Sequence, residues 1–213
     1  MKLTSYFRST AAYRVRIALE LKGLEHEVVP VNLLKGEQAS DEFKALNPHG
    51  LVPTLAVNGE IISQSMAILE YLEECHPQVA LLPASAKQRA YVRSLAQSIV
   101  SDIHPLNNLR VLKYLNKGLK ISEQQKTEWY HHWVQLGFRA LEQRLASNEN
   151  TGRCCFADEP GLADVCLVPQ VFNAHRFDVP MDEFPTIASI NKYCLALPAF
   201  DRARPEKQLD FIG

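Results

Sequence analysis

No run of apolar residues in this chain approaches the length needed to cross a membrane. Its first residues also lack the basic-then-apolar pattern of a secretory leader. A cytoplasmic location and no membrane partner are the expectations that follow. Charge of one sign is equally missing: 23 Lys and Arg stand against 24 Asp and Glu, a net charge of −1. Such a balance gives no global field for nucleic acid. The five cysteines (Cys75, Cys154, Cys155, Cys166, Cys194) are odd in number and include no C-x-x-C pair. That argues against a disulfide framework and against a metal site. Cys154-Cys155 is a vicinal pair, most simply two reduced thiols beside a turn. His131-His132 lacks the i,i+4 spacing of a helical metal pair and reads as a solvated helix face. No internal repeat or low-complexity tract occurs. What remains is ordinary globular composition, 46% hydrophobic and 22% charged, in 213 residues, enough for one large domain or two small ones.

The stretch Lys2–Gly23, KLTSYFRSTAAYRVRIALELKG, organises the rest. A strand over Leu3–Phe7 breaks at Arg8, and a helix begins at Ser9 or Thr10. Val15, Ala18, Leu19 and Leu21 recur at helical spacing until Gly23. A strand-to-helix junction leaves backbone N–H groups free at the positive end of the helix dipole, which suits a carboxylate, phosphate or thiolate. Two hydroxyls, Ser9 and Thr10, sit there with the cation Arg8 beside them.

Glu27–Asn32 reads as a second strand with Pro30 at an edge or bulge, so the first three elements form a parallel βαβ unit. Ser40 caps a short helix through Leu46. Thr54–Val57 and Ile61–Ser63 flank Asn58-Gly59, a strong hairpin signal, and Ser65 caps a helix over Met66–Cys75. The order β-α-β-α-β-β-α fills residues 1–80, and the proline-bearing stretch 77–85 reads as a linker. No strand is expected beyond it. Helical stretches follow at Ala86–Lys117, kinked at His104-Pro105, then Ser122–Asn148, Leu162–His175 and Ile187–Leu197. The fold class is an α/β domain followed by an all-α domain over 86–213.

Several residues admit two readings on sequence alone. Ser9 and Thr10 either cap a helix or hold an anion. Gln64-Ser65 is a second strand-to-helix junction with the same ambiguity. Arg8, Arg110 and Arg176 can each grip a carboxylate in a two-pronged fashion, and Arg110 and Arg176 can instead lie on the surface in weak ion pairs. His104 is either a ligand or a structural histidine at a kink.

Six stretches, SYFRSTAAYRVRIALELKG, ALNPHGLVPTL, QSMAILEYLEE, PLNNLRVLKYL, ADVCLVPQVFNAHRF and SINKY, run in order over almost the whole chain. Together they resemble the glutathione transferase superfamily, in the zeta-type branch that includes maleylacetoacetate isomerases. Maleylpyruvate isomerases share much of the pattern. The resemblance implies a thioredoxin-like N-terminal domain that binds glutathione, an all-α domain that shapes the second-substrate pocket, and a homodimer. It implies a cis peptide at Val52-Pro53. Ser9 would stabilise the glutathione thiolate, the backbone of Val52 beside Pro53 would pair with the tripeptide, and Gln64 and Ser65 would hold its γ-glutamyl carboxylate. Residues at His104 and Asn108 approach glutathione in maleylpyruvate-type relatives, and dicarboxylate-binding members have arginine at Arg8, Arg110 and Arg176.

This chain departs from the pattern at Ser9-Thr10-Ala11-Ala12, where the family has a second serine and then a cysteine. Thr10 keeps a hydroxyl, and its part in catalysis stays open. Asp164 resembles the family's N-capping carboxylate, but Gly161 stands where Ser or Thr would complete the capping box. The implied activity is glutathione-dependent cis–trans isomerisation of maleylacetoacetate to fumarylacetoacetate, a step of tyrosine and phenylalanine catabolism. The alternatives are maleylpyruvate isomerisation, glutathione conjugation, or a non-catalytic interaction module.

Overall fold

A computed structural model of the chain describes residues 1–212. Two compact units divide it: Met1–Leu81 with the segment from Leu195 onward, and Leu82–Cys194.

The first unit holds a four-stranded mixed sheet in the order β2-β1-β3-β4: β1 (Lys2–Ser5), β2 (Glu27–Pro30), β3 (Thr54–Val57) and β4 (Glu60–Ser63). β1 runs parallel to β2 and antiparallel to β3, and β3 pairs antiparallel with β4. The β1–β2 crossover is helix α1 (Thr10–Leu21), as a parallel connection requires. Asn58 and Gly59 both take positive φ, 51° and 86°, which is what a two-residue hairpin turn needs. Helix α2 (Asp41–Leu46) is capped by Ser40, whose side chain accepts from the Phe43 N–H.

Helix α1 is buried from Ala12 through Leu19, so it needs cover on more than its sheet face. It packs against α3 (Ser65–Cys75) and against α9 (Pro198–Ala203). The chain's last part therefore belongs with the first unit, whereas the sequence reading assigned all of 86–213 to the second. The stretch read as a linker is also anchored. Lys22, at the end of α1, donates to Glu73 at 3.0 Å and to the carbonyls of His76 and Val79 at 2.9 and 2.6 Å. Glu73 in turn accepts from the Leu81 N–H at 2.8 Å.

The second unit is helical. The stretch expected as one kinked helix over Ala86–Lys117 is broken into α4 (Ala86–Gln97), a π-helical turn (Ser98–Ile103), a 3-10 turn (His104–Asn107), α5 (Leu109–Lys113) and a second π turn (Tyr114–Gly118). Pro105 has no N–H to continue the ladder. Asn108 then leaves the helix at ψ 149° and caps α5 by accepting from the Arg110 N–H. Helix α6 (Glu123–Ala146) begins with a full capping box between Ser122 and Gln125. A Cβ on Gly137 would overlap Ile103, so glycine lets α6 approach the π turn.

Helix α7 (Leu162–Arg176) starts at Gly161, and Asp164 supplies the half of the box that Gly161 allows. Its carboxylate accepts from the Gly161 N–H at 2.9 Å and from the Cys155 N–H at 2.8 Å. Helix α8 (Pro185–Leu195) is capped from α6, since Glu142 accepts from the Thr186 and Ile187 N–H groups. His131 differs from its expected solvated place: a ring nitrogen lies 2.7 Å from the Phe177 carbonyl and the residue is half-buried. No described helix is long and apolar enough to cross a membrane.

The Lys22–Glu73 pair is sealed, with side chains 1% and 7% exposed. Removing one member leaves a buried charge without compensation. Lys22→Ala is expected to lower the unfolding free energy by about 3 kcal/mol, read as a lower urea midpoint with an unchanged slope.

Candidate active site

Strand register gathers three chain segments at one end of the sheet. Thr4 pairs with Thr54, and Thr54 with Ser63. The residues just beyond them, the β1–α1 turn, Val52-Pro53 and Gln64-Ser65, therefore share that end. The Thr4 and Thr54 hydroxyls lie 2.7 Å apart, and the Thr54 N–H donates to Thr4 Oγ1 at 2.9 Å, which pins the register there. Val52-Pro53 is cis. The Val52 side chain is buried with Tyr6, Phe7, Val31 and Phe43. Its backbone N–H and C=O make no hydrogen bond among the described residues, so they are available to an extended ligand.

The β1–α1 turn closes when the Ser9 N–H donates to the Tyr6 carbonyl at 2.9 Å. Ser9 is the N-cap of α1, and its Oγ accepts from the Ala12 N–H at 3.2 Å. That bond uses a lone pair of the hydroxyl and leaves its proton to give. Among the described residues the Ala11 N–H has no acceptor, so a half-exposed hydroxyl and a free helix N–H stand together at the positive end of a 12-residue helix. Thr10 is 2% exposed, so only Ser9 of the two hydroxyl residues is open to a ligand. Arg8 is half-buried with its guanidinium 4.9 Å from the centre of the Phe7 ring, and no carboxylate partners it among the described residues.

The second junction differs from its expected form. Ser65 is the first residue of α3 and not its cap; Gln64 holds the cap position at φ 71°, ψ 119°, a strained conformation for a side-chain-bearing residue. Ser65 is buried, and its Oγ accepts from Arg14 Nη1 at 3.2 Å. Arg14, on α1, thus links the two helix starts. Arg16, two residues on, donates to Ser5 Oγ at 2.9 Å, to the carbonyls of Tyr6 and Phe7 at 3.4 and 3.1 Å, and to that of Ala203 at 3.0 Å. Burial pulls its guanidinium down to about 10, still charged at neutrality. Sequence reasoning missed both arginines. The available signal was two long cations placed among buried apolar residues of one helix.

In the second unit His104 opens the 3-10 turn and is half-buried. Asn108 is engaged as a cap, while Arg110 is exposed on the short α5. Arg176 is exposed in the last turn of α7, 3.3 Å from Asn173 Oδ1, and its guanidinium lies 4.8 Å from the centre of the Phe177 ring. Cys154, Asp164 and Cys194 bring ligand atoms within 4.8 Å of one another in the interior. Both Asp164 oxygens already serve backbone N–H groups; burial and the Asp164 charge push the Cys155 thiol up, and a hydrogen bond with Cys154 together with burial pushes the Cys194 thiol up. The cluster is a helix cap lined with buried thiols.

Residues 8–75 match the family model for the glutathione S-transferase N-terminal domain, which defines the class of the first unit. The maleylacetoacetate isomerase of Rattus norvegicus is 48% identical over 210 residues, covering 98% of this chain and 94% of that protein. The holo structure of a maleylpyruvate isomerase, a bacterial glutathione S-transferase of the zeta class, superposes with a TM-score of 0.97 at 46% identity and 99% coverage of both chains. A maleylacetoacetate isomerase from Methylobacterium extorquens AM1, solved with malonate and glutathione bound, gives 0.95 at 39% identity and 98% coverage of both. The chain belongs to the zeta-class glutathione transferase family, the branch of the maleylacetoacetate isomerases.

The cap role of Ser9 can be separated from any other. Ser9→Ala is expected to cost about 1 kcal/mol of stability, and Ser9→Asn, an equally good cap, almost nothing. Urea unfolding of the two variants measures the difference.

Proposed function

We propose that the protein is a glutathione-dependent isomerase that converts maleylacetoacetate to fumarylacetoacetate. The observation that carries this reading is the Ser9 hydroxyl, which accepts from its own helix and keeps a proton to donate beside the free Ala11 N–H. That donor set fits a thiolate, because a hydrogen-bond donor and a helix N-terminus both favour the ionised sulfur. The unpaired Val52 backbone and the Gln64-Ser65 helix start fit the tripeptide's backbone and its γ-glutamyl carboxylate. Bound glutathione supplies a thiolate whose reversible addition makes the double bond single, so that the substrate can rotate before the thiolate departs.

Ser9 holds that sulfur ionised by donating its proton in a hydrogen bond. Arg8 faces the carboxylate or developing enolate charge of the second substrate, an electrostatic role. Arg176 and Arg110 are proposed as further carboxylate contacts, and His104 and Asn108 as residues that approach glutathione. Thr10, being buried, is given a supporting part. Glutathione and malonate in the Methylobacterium extorquens relative support both ligand classes. A homodimer and a cytoplasmic location belong to the same proposal; sedimentation tests the dimer. A second reading, maleylpyruvate as substrate, is favoured by the likeness to the maleylpyruvate isomerase.

Following both keto acids by ultraviolet absorbance, with and without glutathione, tests the reading. Turnover that requires glutathione and returns it unchanged is expected. No turnover of either acid at any glutathione level overturns it, and a product that retains glutathione makes the protein a conjugating transferase. Ser9→Ala, which removes the hydroxyl donor at a cost of about 1 kcal/mol in stability, is expected to lose roughly 100-fold in kcat, the order found on removing one anion-stabilising donor. Arg176→Ala is expected to raise the KM for a dicarboxylate roughly tenfold, and an equal effect on an uncharged electrophile would remove it from carboxylate binding.

A further inference from the structure

The β1–α1 turn is held on one side by Arg16, through the carbonyls of Tyr6 and Phe7. Its other side is held by the end of the chain. Asp210 Oδ2 accepts from the Phe7 N–H at 2.9 Å, across 203 residues of sequence. Phe211 meets the Phe7 ring edge-on, with centroids 5.5 Å apart, and Arg8 lies over that same ring. Phe7 is 1% exposed, so its N–H would be a buried donor without the Asp210 carboxylate. The residues around Asp210 are open: Leu209 is 88% exposed and Ile212 55%. The tail therefore contributes little apolar burial of its own, and its defined contacts converge on the residue that precedes Arg8 and Ser9.

We propose that Asp210 is a positioning residue for the active site. By fixing the Phe7 peptide from outside while Arg16 fixes it from inside, it sets the orientation in which the next two residues present the Arg8 guanidinium and the Ser9 hydroxyl. Its charge also counts, because Asp210 is one of the acidic groups that help keep Arg16 ionised. This role rests on the proposed thiolate site at Ser9. It adds that the last residues of the chain tune that site without touching a ligand.

The test compares Asp210→Ala, Asp210→Asn and a chain ending at Gln208 with the unaltered protein. Amide hydrogen exchange of the peptide spanning Tyr6–Ala11 reads the turn with no ligand present. Absorbance of bound glutathione thiolate against pH reads Ser9. Asp210→Ala and the shortened chain are expected to exchange at the Phe7 amide at least tenfold faster, the order of one lost hydrogen bond. They are expected to raise the apparent pKa of the bound thiol by about one pH unit and to lower kcat about tenfold, with a smaller change in the KM for glutathione. Asp210→Asn keeps an acceptor for the Phe7 N–H and is expected to recover most of each effect.

Unchanged exchange in both truncating variants overturns the proposal. Faster exchange with an unchanged thiol pKa also overturns it, since Asp210 would then be structural only. An unaltered protein that binds glutathione without lowering its thiol pKa overturns the Ser9 reading and this role with it. A thiol pKa lowered equally in the unaltered protein and in Asp210→Ala overturns the tail's role alone.

Discussion

A guanidinium sealed inside the first helix holds the proposed active-site end of the first unit in shape. Arg16 is 1% exposed, and a charge in such a place is tolerated only when acceptors surround it. The structure supplies them from parts of the chain that otherwise have no reason to meet: the end of β1 through Ser5, the turn through Tyr6 and Phe7, and the end of α9 through Ala203. The planar fork of arginine spreads its donors over a wide angle, so this one side chain serves all four acceptors at once. The turn that bears Arg8 and Ser9 is thereby a feature of the core, although its tip is open to ligand.

From that fixed turn the rest follows by helix geometry. Arg14 lies two residues before Arg16, so its side chain leaves α1 in a different direction and reaches Ser65 at the start of α3. Two helix N-termini, each a source of unsatisfied N–H groups, are in this way referred to one rigid helix. The strained backbone of Gln64 belongs to the same construction. A positive φ in a residue with a side chain costs of order 1–3 kcal/mol and persists where its surroundings over-determine it. The β4 register on one side and the buried Ser65 on the other supply that constraint. Capping and chemistry at Ser9 are compatible for a related reason: one hydroxyl accepts with its oxygen and donates with its hydrogen, so neither task displaces the other.

What could be read in the sequence was local. Asn58-Gly59 specified its turn, and Ser9, Ser40 and Ser122 announced helix starts, because a cap or a tight turn depends on three or four neighbouring residues. What could not be read depended on distant partners. Lys22 looks like a surface residue at a helix end until Glu73 and two carbonyls of the following loop surround it. Arg14 and Arg16 look like the polar side of an amphipathic helix until α3 and α9 cover both flanks. Ser65 carries the residue type of a cap, yet the backbone turns one residue earlier. The resemblance to a family named the site segments; the bonds that hold them in place came from the fold.

The run Ser9-Thr10-Ala11-Ala12 has a chemical consequence of its own. A substrate whose double bond accepts a thiolate is by nature an alkylating agent for any accessible, ionised cysteine. At the first turn of α1, where the helix N-terminus would lower a thiol's pKa, this chain has alanine at position 11. In the second unit Cys154, Cys155, Cys166 and Cys194 are all buried; burial pushes the Cys155 thiol up, and a hydrogen bond with Cys154 together with burial does the same to Cys194, away from the reactive form. The sulfur chemistry of the proposed reaction then belongs to the bound tripeptide, which is released and replaced. An adduct formed on glutathione can leave with the tripeptide, whereas one formed on a protein thiolate would occupy the site until the addition reversed.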